Sequence, residues 1–251
     1  MTDLDPDAKL AITDHAILTY PEECCGFIVS TPQGQRYLPC HNRATNPREH
    51  FAIAAEDYAD AEDIGPLLAV VHSHPNARAI PSPADRAVCE KVGIPAWVIV
   101  SVGVEADGRI GVHDWHSFGP SGYVAPLIGR PFVHGVHDCY SIVRDWYAQE
   151  RGITIPDFER SDRWWEQKGQ SLYMDNYARA GFVDVGPHVE PEEGDVLLMT
   201  VLSKHGEPNH AGVYVGGGRF IHHLYGRLSV QAIFGGMWAQ CLTTILRHKG
   251  A

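Results

Sequence analysis

The sequence predicts an α+β protein with two domains in series. Predicted helices and short apolar strands alternate along most of its 251 residues. Residues 117–127 are rich in glycine and proline, which is typical of a linker. A separate cluster of chemically reactive residues lies on each side of this stretch. We therefore predict a first domain over residues 1–116 and a second domain over residues 128–251.

A helix is predicted at the start of the first domain. Residues 7–20 have the spacing of an amphipathic helix, with Leu10, Ile17 and Leu18 among its apolar positions. Pro21 follows, and we expect it to end the helix because proline has no backbone N–H to donate.

Strands account for much of the remaining first domain. Two runs separated by a turn predict a hairpin over residues 25–38. The almost entirely apolar residues 67–71 predict a buried strand that ends at His72. Two further strands, residues 96–102 and 109–115, complete the predicted sheet.

The second domain is predicted to combine one amphipathic helix with a small antiparallel sheet. The helix starts near Asp138, and its apolar positions are Ile142, Val143, Trp146 and Tyr147. Glycines divide the later part of the domain into short apolar runs, which are typical of strands. The predicted strands are residues 194–200, 211–215, 219–224 and 242–247.

Composition and charge exclude several classes of function. The formal net charge is −11, and the first 116 residues carry 17 acidic against 8 basic side chains. An acidic surface repels phosphate backbones, so we do not expect nucleic-acid binding. No apolar run approaches the roughly 18 residues of a membrane span, and the acidic N-terminus predicts no secretory signal. The six cysteines form no Cys-x-x-Cys pair, which favours synthesis in a reducing cytosol.

His72, His74 and Asp85 have the spacing of a zinc site that catalyses hydrolysis. The histidines are one residue apart, so their side chains point to the same side of an extended segment. Asp85 is expected in the first turn of a helix over residues 82–92, from which it reaches the histidines. Two imidazoles and one carboxylate leave a fourth tetrahedral position for water, as in catalytic zinc sites. The sequence therefore predicts that these three residues bind Zn²⁺.

A second interpretation explains part of this pattern without a metal. Ser82, Pro83 and Asp85 are favourable residues for the N-cap, first position and first turn of a helix. This role leaves the two histidines at the end of a buried strand unexplained. The two interpretations are compatible, because a capped helix end would hold Asp85 in a fixed position for binding a metal.

Residues 72–75 (His-Ser-His-Pro), followed by Ser82 and Asp85, resemble the JAMM motif of MPN-domain metalloproteases. The resemblance implies an α/β/α domain of MPN/JAB type and zinc-dependent hydrolysis of a peptide or isopeptide bond. It also implies a catalytic glutamate shortly before a Cys-Gly pair, so Glu23 is the expected base and Glu22 the alternative. Ser82 is expected to stabilise the oxyanion of the tetrahedral intermediate.

Cys139 has the surroundings of a catalytic nucleophile. It lies at the N-terminus of the predicted helix, where the helix dipole is expected to lower the thiol pKa. A cysteine nucleophile also needs an imidazole base and a group that orients the imidazole. His210, at the start of a predicted strand, is the expected base. His222 is expected beside it on the neighbouring strand as the orienting residue, while His223 should point to the opposite face.

Residues 131–139 and 210–222 resemble the NlpC family of cell-wall cysteine peptidases, through Pro-Phe-Val-His-Gly, Asp-Cys and His-Ala-Gly-Val-Tyr-Val-Gly. The resemblance implies a papain-like α+β fold and a substrate in the stem peptides of peptidoglycan. The family usually has a tyrosine where Phe132 stands, and that hydroxyl helps to form the oxyanion site. Tyr140 and backbone N–H groups are the candidates for replacing it.

The order of the two domains, and above all residues 127–140, resemble the tail-tip assembly protein K family of long-tailed bacteriophages. The resemblance implies a tail-tip hydrolase whose cysteine site cuts stem peptides and opens the cell wall locally during DNA entry. It implies synthesis in the host cytoplasm, a final location at the virion tail tip, and other tail-tip proteins as partners. The zinc domain would cut an unknown peptide, in one hypothesis a tail protein during assembly.

Two alternatives remain open. In the first, the chain is chiefly a structural tail-tip protein and its zinc domain is a docking module, which the acidic first domain would suit. In the second, the zinc domain removes a small modifier protein, a weaker hypothesis because of the second peptidase domain.

Overall fold

The computed structural model describes residues 4–250. The chain divides into two compact units, Met1–Val124 and Ala125–Ala251. The division falls within residues 117–127, the predicted linker. The first two residues of that stretch belong to a strand instead, because strand pairing continues to Phe118, which lies opposite Trp97.

The first unit is built on a mixed five-stranded sheet. Its strands are β1 (Cys25–Thr31), β2 (Gly34–Cys40), β3 (Leu67–Pro75), β4 (Ala96–Val104) and β5 (Ile110–Phe118). Their spatial order is β2-β1-β3-β4-β5. Only β3 and β4 are parallel neighbours, and the chain joins them through a helix, since a parallel pair needs a crossover.

Helices cover both faces of this sheet. They are α1 (Pro6–Thr19), α2 (Ala55–Ile64) and α3 (Pro83–Val92). Ile12 of α1 packs with Ile28 on one face. Ala61 of α2 and Cys89 of α3 pack with Phe27 on the other face. The unit therefore has the three α/β/α layers that its resemblance implied.

The contact face of α1 differs from the prediction. Leu10 and Leu18 are 61% and 84% exposed, whereas Ala8, Ile12 and Ala16 are buried. The helix spacing was correct, but the face that carries Ile12 and Ala16 meets the sheet. Leu10 and Leu18 therefore do not mark the buried side of this helix.

The second unit contains a six-stranded antiparallel sheet. Its strands are β6 (Phe182–Asp184), β7 (Val196–Met199), β8 (His210–Tyr214), β9 (Arg219–His222), β10 (Val230–Ile233) and β11 (Leu242–His248). The order is β10-β9-β8-β7-β11-β6, with every pair antiparallel. β6 and β10, which the sequence did not predict, are the two edge strands. Both are short and largely exposed, so they lack the apolar run of a central strand.

Three helices accompany this sheet, namely α4 (Cys139–Trp146), α5 (Leu172–Asn176) and α6 (Met237–Cys241). Ile142 and Val143 of α4 pack against Ala211 of β8 on one face. Trp238 of α6 packs with Phe220 on the other face. In residues 4–250, no helix combines the length and the apolar character that crossing a membrane requires.

Candidate functional sites

Three side chains of metal-ligand type converge at the carboxyl end of β3. Nε2 of His72 lies 3.1 Å from Nε2 of His74. Asp85 places Oδ1 at 3.3 Å from His72 Nε2 and Oδ2 at 3.5 Å from His74 Nε2. The structure thus brings together the three residues predicted as zinc ligands.

Both histidines lie within β3, and not where a strand gives way to a loop as predicted. β3 continues to Pro75 because it pairs with β4, with His72 opposite Ile99 and His74 opposite Ser101. Alternation along the strand points both imidazoles to one face of the sheet, the face that α3 covers. Regular strand pairing therefore fixes the direction of both side chains.

Asp85 has two roles in the first turn of α3. Its backbone N–H donates to Ser82 Oγ at 3.1 Å, and its Oδ2 accepts from the Ser82 N–H at 2.7 Å, forming a capping box. Burial opposes ionisation of Asp85, but His72, His74 and Ser82 outweigh it and hold its pKa well below the usual range. The helix cap and the ligand position therefore occur together.

The cluster is compact enough to hold one metal ion. Zinc–ligand bonds of about 2.0–2.2 Å put neighbouring tetrahedral ligand atoms roughly 3.3–3.6 Å apart. The observed separations are of similar size, at 3.1 Å between the two imidazoles and 3.3 and 3.5 Å from each imidazole to one of the two Asp85 oxygens. Nδ1 of His74 donates to the carbonyl oxygen of Arg78 at 3.0 Å, which leaves Nε2 free to bind a metal. These residues are compatible with zinc.

Glu23 is buried beside this cluster, whereas Glu22 is exposed. Burial raises the pKa of Glu23 to about 8, an effect that His74 reduces and Asp85 increases. The carboxyl group therefore lies within electrostatic range of the cluster. The Asn42 side chain donates to the Glu23 carbonyl oxygen and helps to hold this segment. Of the two glutamates, only Glu23 is buried next to His74 and Asp85.

Ser73 ties the Glu23 segment to the histidine strand. The Cys24 N–H donates to Ser73 Oγ at 2.8 Å, and the Ser73 N–H donates to the Cys24 carbonyl at 3.0 Å. Because Ser73 lies between the two histidines, these bonds fix the position of the Glu23 segment relative to His72 and His74. No local sequence pattern pairs Ser73 with Cys24, so this contact could not be predicted.

In the second unit, Asp138 caps α4 and is held by a buried ion pair. Its Oδ1 accepts from the backbone N–H and the hydroxyl of Ser141, at 2.8 and 2.9 Å. Arg160 donates from Nε to Oδ2 at 2.7 Å, and the two charged side chains are only 8% and 3% exposed. Burial opposes ionisation of Asp138, but Arg160 outweighs it and holds the pKa well below the usual range. The residue before Cys139 is thereby fixed.

The thiol of Cys139 faces a hydroxyl group and has a high pKa. Its Sγ lies 3.1 Å from Tyr173 Oη. Burial and the neighbouring Asp138 carboxylate raise the pKa of Cys139 to about 11, although Tyr173 and the Ala211 N–H favour the thiolate. The prediction of a lowered pKa is therefore wrong. A helix dipole favours the thiolate, but loss of solvent around the sulfur has the larger effect here.

His210 and His222 form a pair of imidazoles on neighbouring strands. Nε2 of His210 lies 3.0 Å from Nδ1 of His222. His222 is opposite Gly212 in the register and reaches His210 diagonally. A Cβ at Gly212 would lie 2.6 Å from the Phe220 ring, so glycine permits this close pairing. Burial lowers the pKa of His210 to about 3 and that of His222 to about 4, so both are neutral at pH 7.

The thiol and the histidine pair have different neighbours. Ala211, which follows His210, packs with α4, whereas the rings of His210 and His222 contact Trp238 of α6. Among residues 4–250, no hydrogen bond joins Cys139 to His210. The structure therefore pairs the predicted base with its orienting residue, but does not hydrogen bond the thiol to the base. Such bonds often tighten only when substrate binds.

An aromatic pocket lies beside Cys139, and both Phe132 and Tyr140 contribute to its lining. The Tyr140 hydroxyl donates to the Pro156 carbonyl oxygen at 2.7 Å. It is therefore already bonded and is not free to replace the hydroxyl that Phe132 lacks.

Sequence patterns did not identify Arg160 and Tyr173. Both come from the segment between α4 and β6, and their contacts with Asp138 and Cys139 depend on tertiary folding. A buried N-cap aspartate suggests a basic partner, but spacing alone does not select Arg160 among the nearby arginines.

Comparison with known proteins assigns each unit to a family. Residues 6–117 match the prokaryotic homologs of the JAB domain, and residues 129–247 match the NlpC/P60 family. Together with the two folds, these matches define a two-domain protein that joins a JAB-like domain to an NlpC/P60 domain.

Two phage proteins match most of the chain. Tail tip assembly protein K of Escherichia phage N15 is 40% identical over 241 residues, which cover 95% of this chain and 93% of that protein. Tail tip assembly protein K of Escherichia phage lambda is 36% identical over 197 residues, covering 78% and 89%. The chain therefore belongs to the tail tip assembly protein K family. Among solved structures, the NlpC/p60 domain of the peptidoglycan hydrolase SagA is 20% identical, covers 48% of this chain and 89% of that chain, and has a TM-score of 0.30.

Proposed function

We propose that this protein is a phage tail-tip hydrolase whose second unit cuts peptidoglycan stem peptides during DNA entry. The similarity to two tail tip assembly proteins supports a role in the tail, and the NlpC/P60 match supports a peptidase. One observation carries the proposal. Cys139 begins α4 beside the strand that bears His210, and His210 is paired with His222.

Cys139 is the proposed nucleophile and His210 the proposed base. At neutral pH both are uncharged, because burial raises the pKa of the thiol to about 11 and lowers that of His210 to about 3. Proton transfer from sulfur to imidazole therefore accompanies attack on the carbonyl carbon. His222 orients the base: a proton on Nε2 of His210, donated to Nδ1 of His222, leaves Nδ1 of His210 to accept the thiol proton.

The first unit is proposed to be a zinc-dependent peptidase or isopeptidase of JAMM type. His72, His74 and Asp85 would hold the zinc ion, which would supply a Lewis acid to polarise the scissile carbonyl. Glu23 is the group that accepts a proton from the attacking water. The Ser82 oxygen accepts a hydrogen bond within the helix cap, so the hydroxyl proton stays available for the oxyanion.

The biological setting is proposed from the family. The chain is made in the host cytoplasm and then joins other tail-tip proteins in the virion. Its zinc unit cuts a peptide in a tail protein during assembly, and its cysteine unit acts later on the cell wall.

Digestion of purified diaminopimelate-type peptidoglycan tests the proposal, with product masses identifying the bond that is cut. Native protein should release new stem-peptide fragments, and Cys139→Ala protein should release none. Cys241→Ala, which removes a thiol outside the site, should behave like the native protein. If folded native protein with bound zinc releases no fragments, a chiefly structural role in which the zinc unit docks tail partners is favoured instead.

A further inference from the structure

Tyr173 supplies the side-chain hydrogen bond of the proposed nucleophile. Its Oη lies 3.1 Å from Cys139 Sγ, and among residues 4–250 no other side chain hydrogen bonds to that sulfur. The ring of Tyr173 packs edge-on against Tyr140 and Trp164, with ring centres 6.2 and 5.9 Å away. These aromatic contacts hold the hydroxyl in place beside the thiol.

The Tyr173 hydroxyl has the chemistry of a donor. Burial, followed by the neighbouring thiol, raises the Tyr173 pKa well above its usual range, so the phenol keeps its proton at neutral pH. Of two other aromatic side chains in the same pocket, Phe132 has no hydroxyl, and that of Tyr140 is bonded to Pro156. The Tyr173 hydroxyl already lies within hydrogen-bonding distance of the sulfur, so it can stabilise negative charge at this point.

We propose that Tyr173 is a catalytic residue of the thiol site, whose hydroxyl donates first to the Cys139 sulfur and then to the carbonyl oxygen under attack. This inference rests on the proposed role of Cys139 as nucleophile. A sulfur attacking a carbonyl carbon brings the carbonyl oxygen next to it. A hydroxyl within hydrogen-bonding distance of the sulfur therefore needs only a small movement to reach that oxygen.

The step balances as follows in atoms and charge. The Sγ–C bond forms as the thiol proton passes to His210, and the carbonyl π electrons move to the oxygen, which accepts the hydrogen bond of Tyr173. The electron pair on the oxyanion then re-forms the C=O bond, the C–N bond breaks, and the leaving amine takes the proton from His210. Water hydrolyses the thioester and restores the thiol of Cys139.

The test compares two reactions of Cys139 in the full chain. p-Nitrophenyl acetate acylates the sulfur through a carbonyl oxyanion, whereas iodoacetamide alkylates it by displacement at a saturated carbon and forms no oxyanion. Both rates are measured for native, Tyr173→Phe and Tyr225→Phe proteins, with the modification mapped to Cys139 by mass spectrometry. Tyr225 is the matched control because it is half-exposed and its hydroxyl is not bonded to the thiol.

Tyr173→Phe should slow acylation by about 10²-fold, the usual effect of losing one oxyanion donor. Alkylation should slow by a smaller factor, and its pH profile should shift upwards because the thiolate loses a hydrogen bond. Tyr225→Phe should match the native protein in both reactions. Amide hydrogen exchange should show that both variants keep the native fold.

Other outcomes overturn the proposal. Equal slowing of the two reactions would restrict Tyr173 to the sulfur and remove its role at the oxyanion. Unchanged rates in the Tyr173→Phe protein would show that Tyr173 takes no part in either reaction. Faster reactions would show that Tyr173 hinders access to the thiol. Failure of native Cys139 to acylate would remove the nucleophile as well. If Cys139 acylates as expected but peptidoglycan stays intact, the substrate in the proposed function fails while the role of Tyr173 stands.

Discussion

The two candidate sites differ in how their parts are held. In the first unit, all three proposed ligands fall within residues 72–85, and one strand and one capped helix place their binding atoms 3.1–3.5 Å apart. In the second unit, the parts are spread over residues 138–222, and the histidine pair is hydrogen bonded to itself and not to Cys139. The three proposed ligands of the first site are therefore placed by local geometry, whereas the second site depends on tertiary packing around the thiol.

Burial also acts in opposite directions at the two sites. It raises the pKa of Glu23 to about 8, which keeps a carboxyl group protonated at neutral pH in the absence of a cation. It lowers the pKa values of His210 and His222 to about 3 and 4, which keeps two imidazoles neutral. Each unit thus buries its proposed base in uncharged form. In the first unit, a bound divalent cation would restore the carboxylate by its charge.

The largest expected effect is the loss of zinc from the His72, His74 and Asp85 cluster of the first unit. His74→Ala should reduce bound zinc from about one ion per chain to almost none, because it removes one of three protein ligands. Plasma mass spectrometry of the purified protein measures this ratio. His113→Ala, which removes a histidine of β5 outside the cluster, should keep the native zinc content. Full zinc in the His74→Ala protein would show that the metal binds elsewhere.

A smaller effect is expected from removing the proposed base of the second unit. His210→Ala should lower the rate of stem-peptide release by about 10²–10⁴-fold, the usual contribution of general acid–base catalysis. His188→Ala, at an exposed position of the same unit, is the matched control. An unchanged rate in the His210→Ala protein would contradict its assignment, and another group would then have to accept the thiol proton.

The buried ion pair at the start of α4 should matter for stability. Arg160→Met leaves the Asp138 carboxylate buried without its partner, which should destabilise this region by about 3–5 kcal/mol. Hydrogen exchange of the α4 amides reports the loss locally. Arg163→Met changes a largely exposed arginine nearby and should have little effect. Unchanged hydrogen-exchange protection of the α4 amides in the Arg160→Met protein would contradict this prediction. It would mean that the hydrogen bonds between Asp138 and Ser141 are enough to hold the start of the helix.

The smallest effect, expressed per pH unit, is a dependence of stability on pH. Because burial lowers the folded pKa values of His210 and His222 below 6.5, the unfolded chain binds more protons between about pH 6.5 and 4. The free energy of unfolding of the second unit should therefore decrease as the pH is lowered through this window. The decrease should be up to about 1.4 kcal/mol per pH unit for each histidine. His222→Asn should reduce the slope, and His188→Asn should not. Identical slopes in all three proteins would show that the pair titrates normally.

The sequence predicted the parts that follow from local spacing. The antiparallel sheet of the second unit and the proximity of His210 to His222 came from strand patterns and short motifs, whereas the α/β/α layers of the first unit came from the resemblance to the MPN domain. It missed α2, whose acidic sequence buries only Ala61 and so shows no apolar periodicity. It also gave the wrong direction for the pKa of Cys139, because helix position is visible in a sequence and burial of a thiol is not.

The hydrogen-bonding residues that the sequence could not identify belong mostly to the thiol site. Arg160 and Tyr173 reach Asp138 and Cys139 from a segment with little regular structure, at separations set by folding alone. At the His72, His74 and Asp85 cluster, the bonds between Ser73 and Cys24 were likewise set by tertiary folding. Motif recognition is therefore more complete where one strand and one helix carry the chemistry.

The central claim is that the two units carry separate chemistries, one dependent on a metal and the other on a thiol. Its most direct test measures zinc content and stem-peptide release on the same samples of native, His74→Ala and Cys139→Ala protein. We predict that His74→Ala loses zinc and keeps stem-peptide release, and that Cys139→Ala keeps zinc and loses release. A folded His74→Ala protein that no longer releases stem peptides would contradict the claim, because it would show that the metal site takes part in cell-wall cleavage.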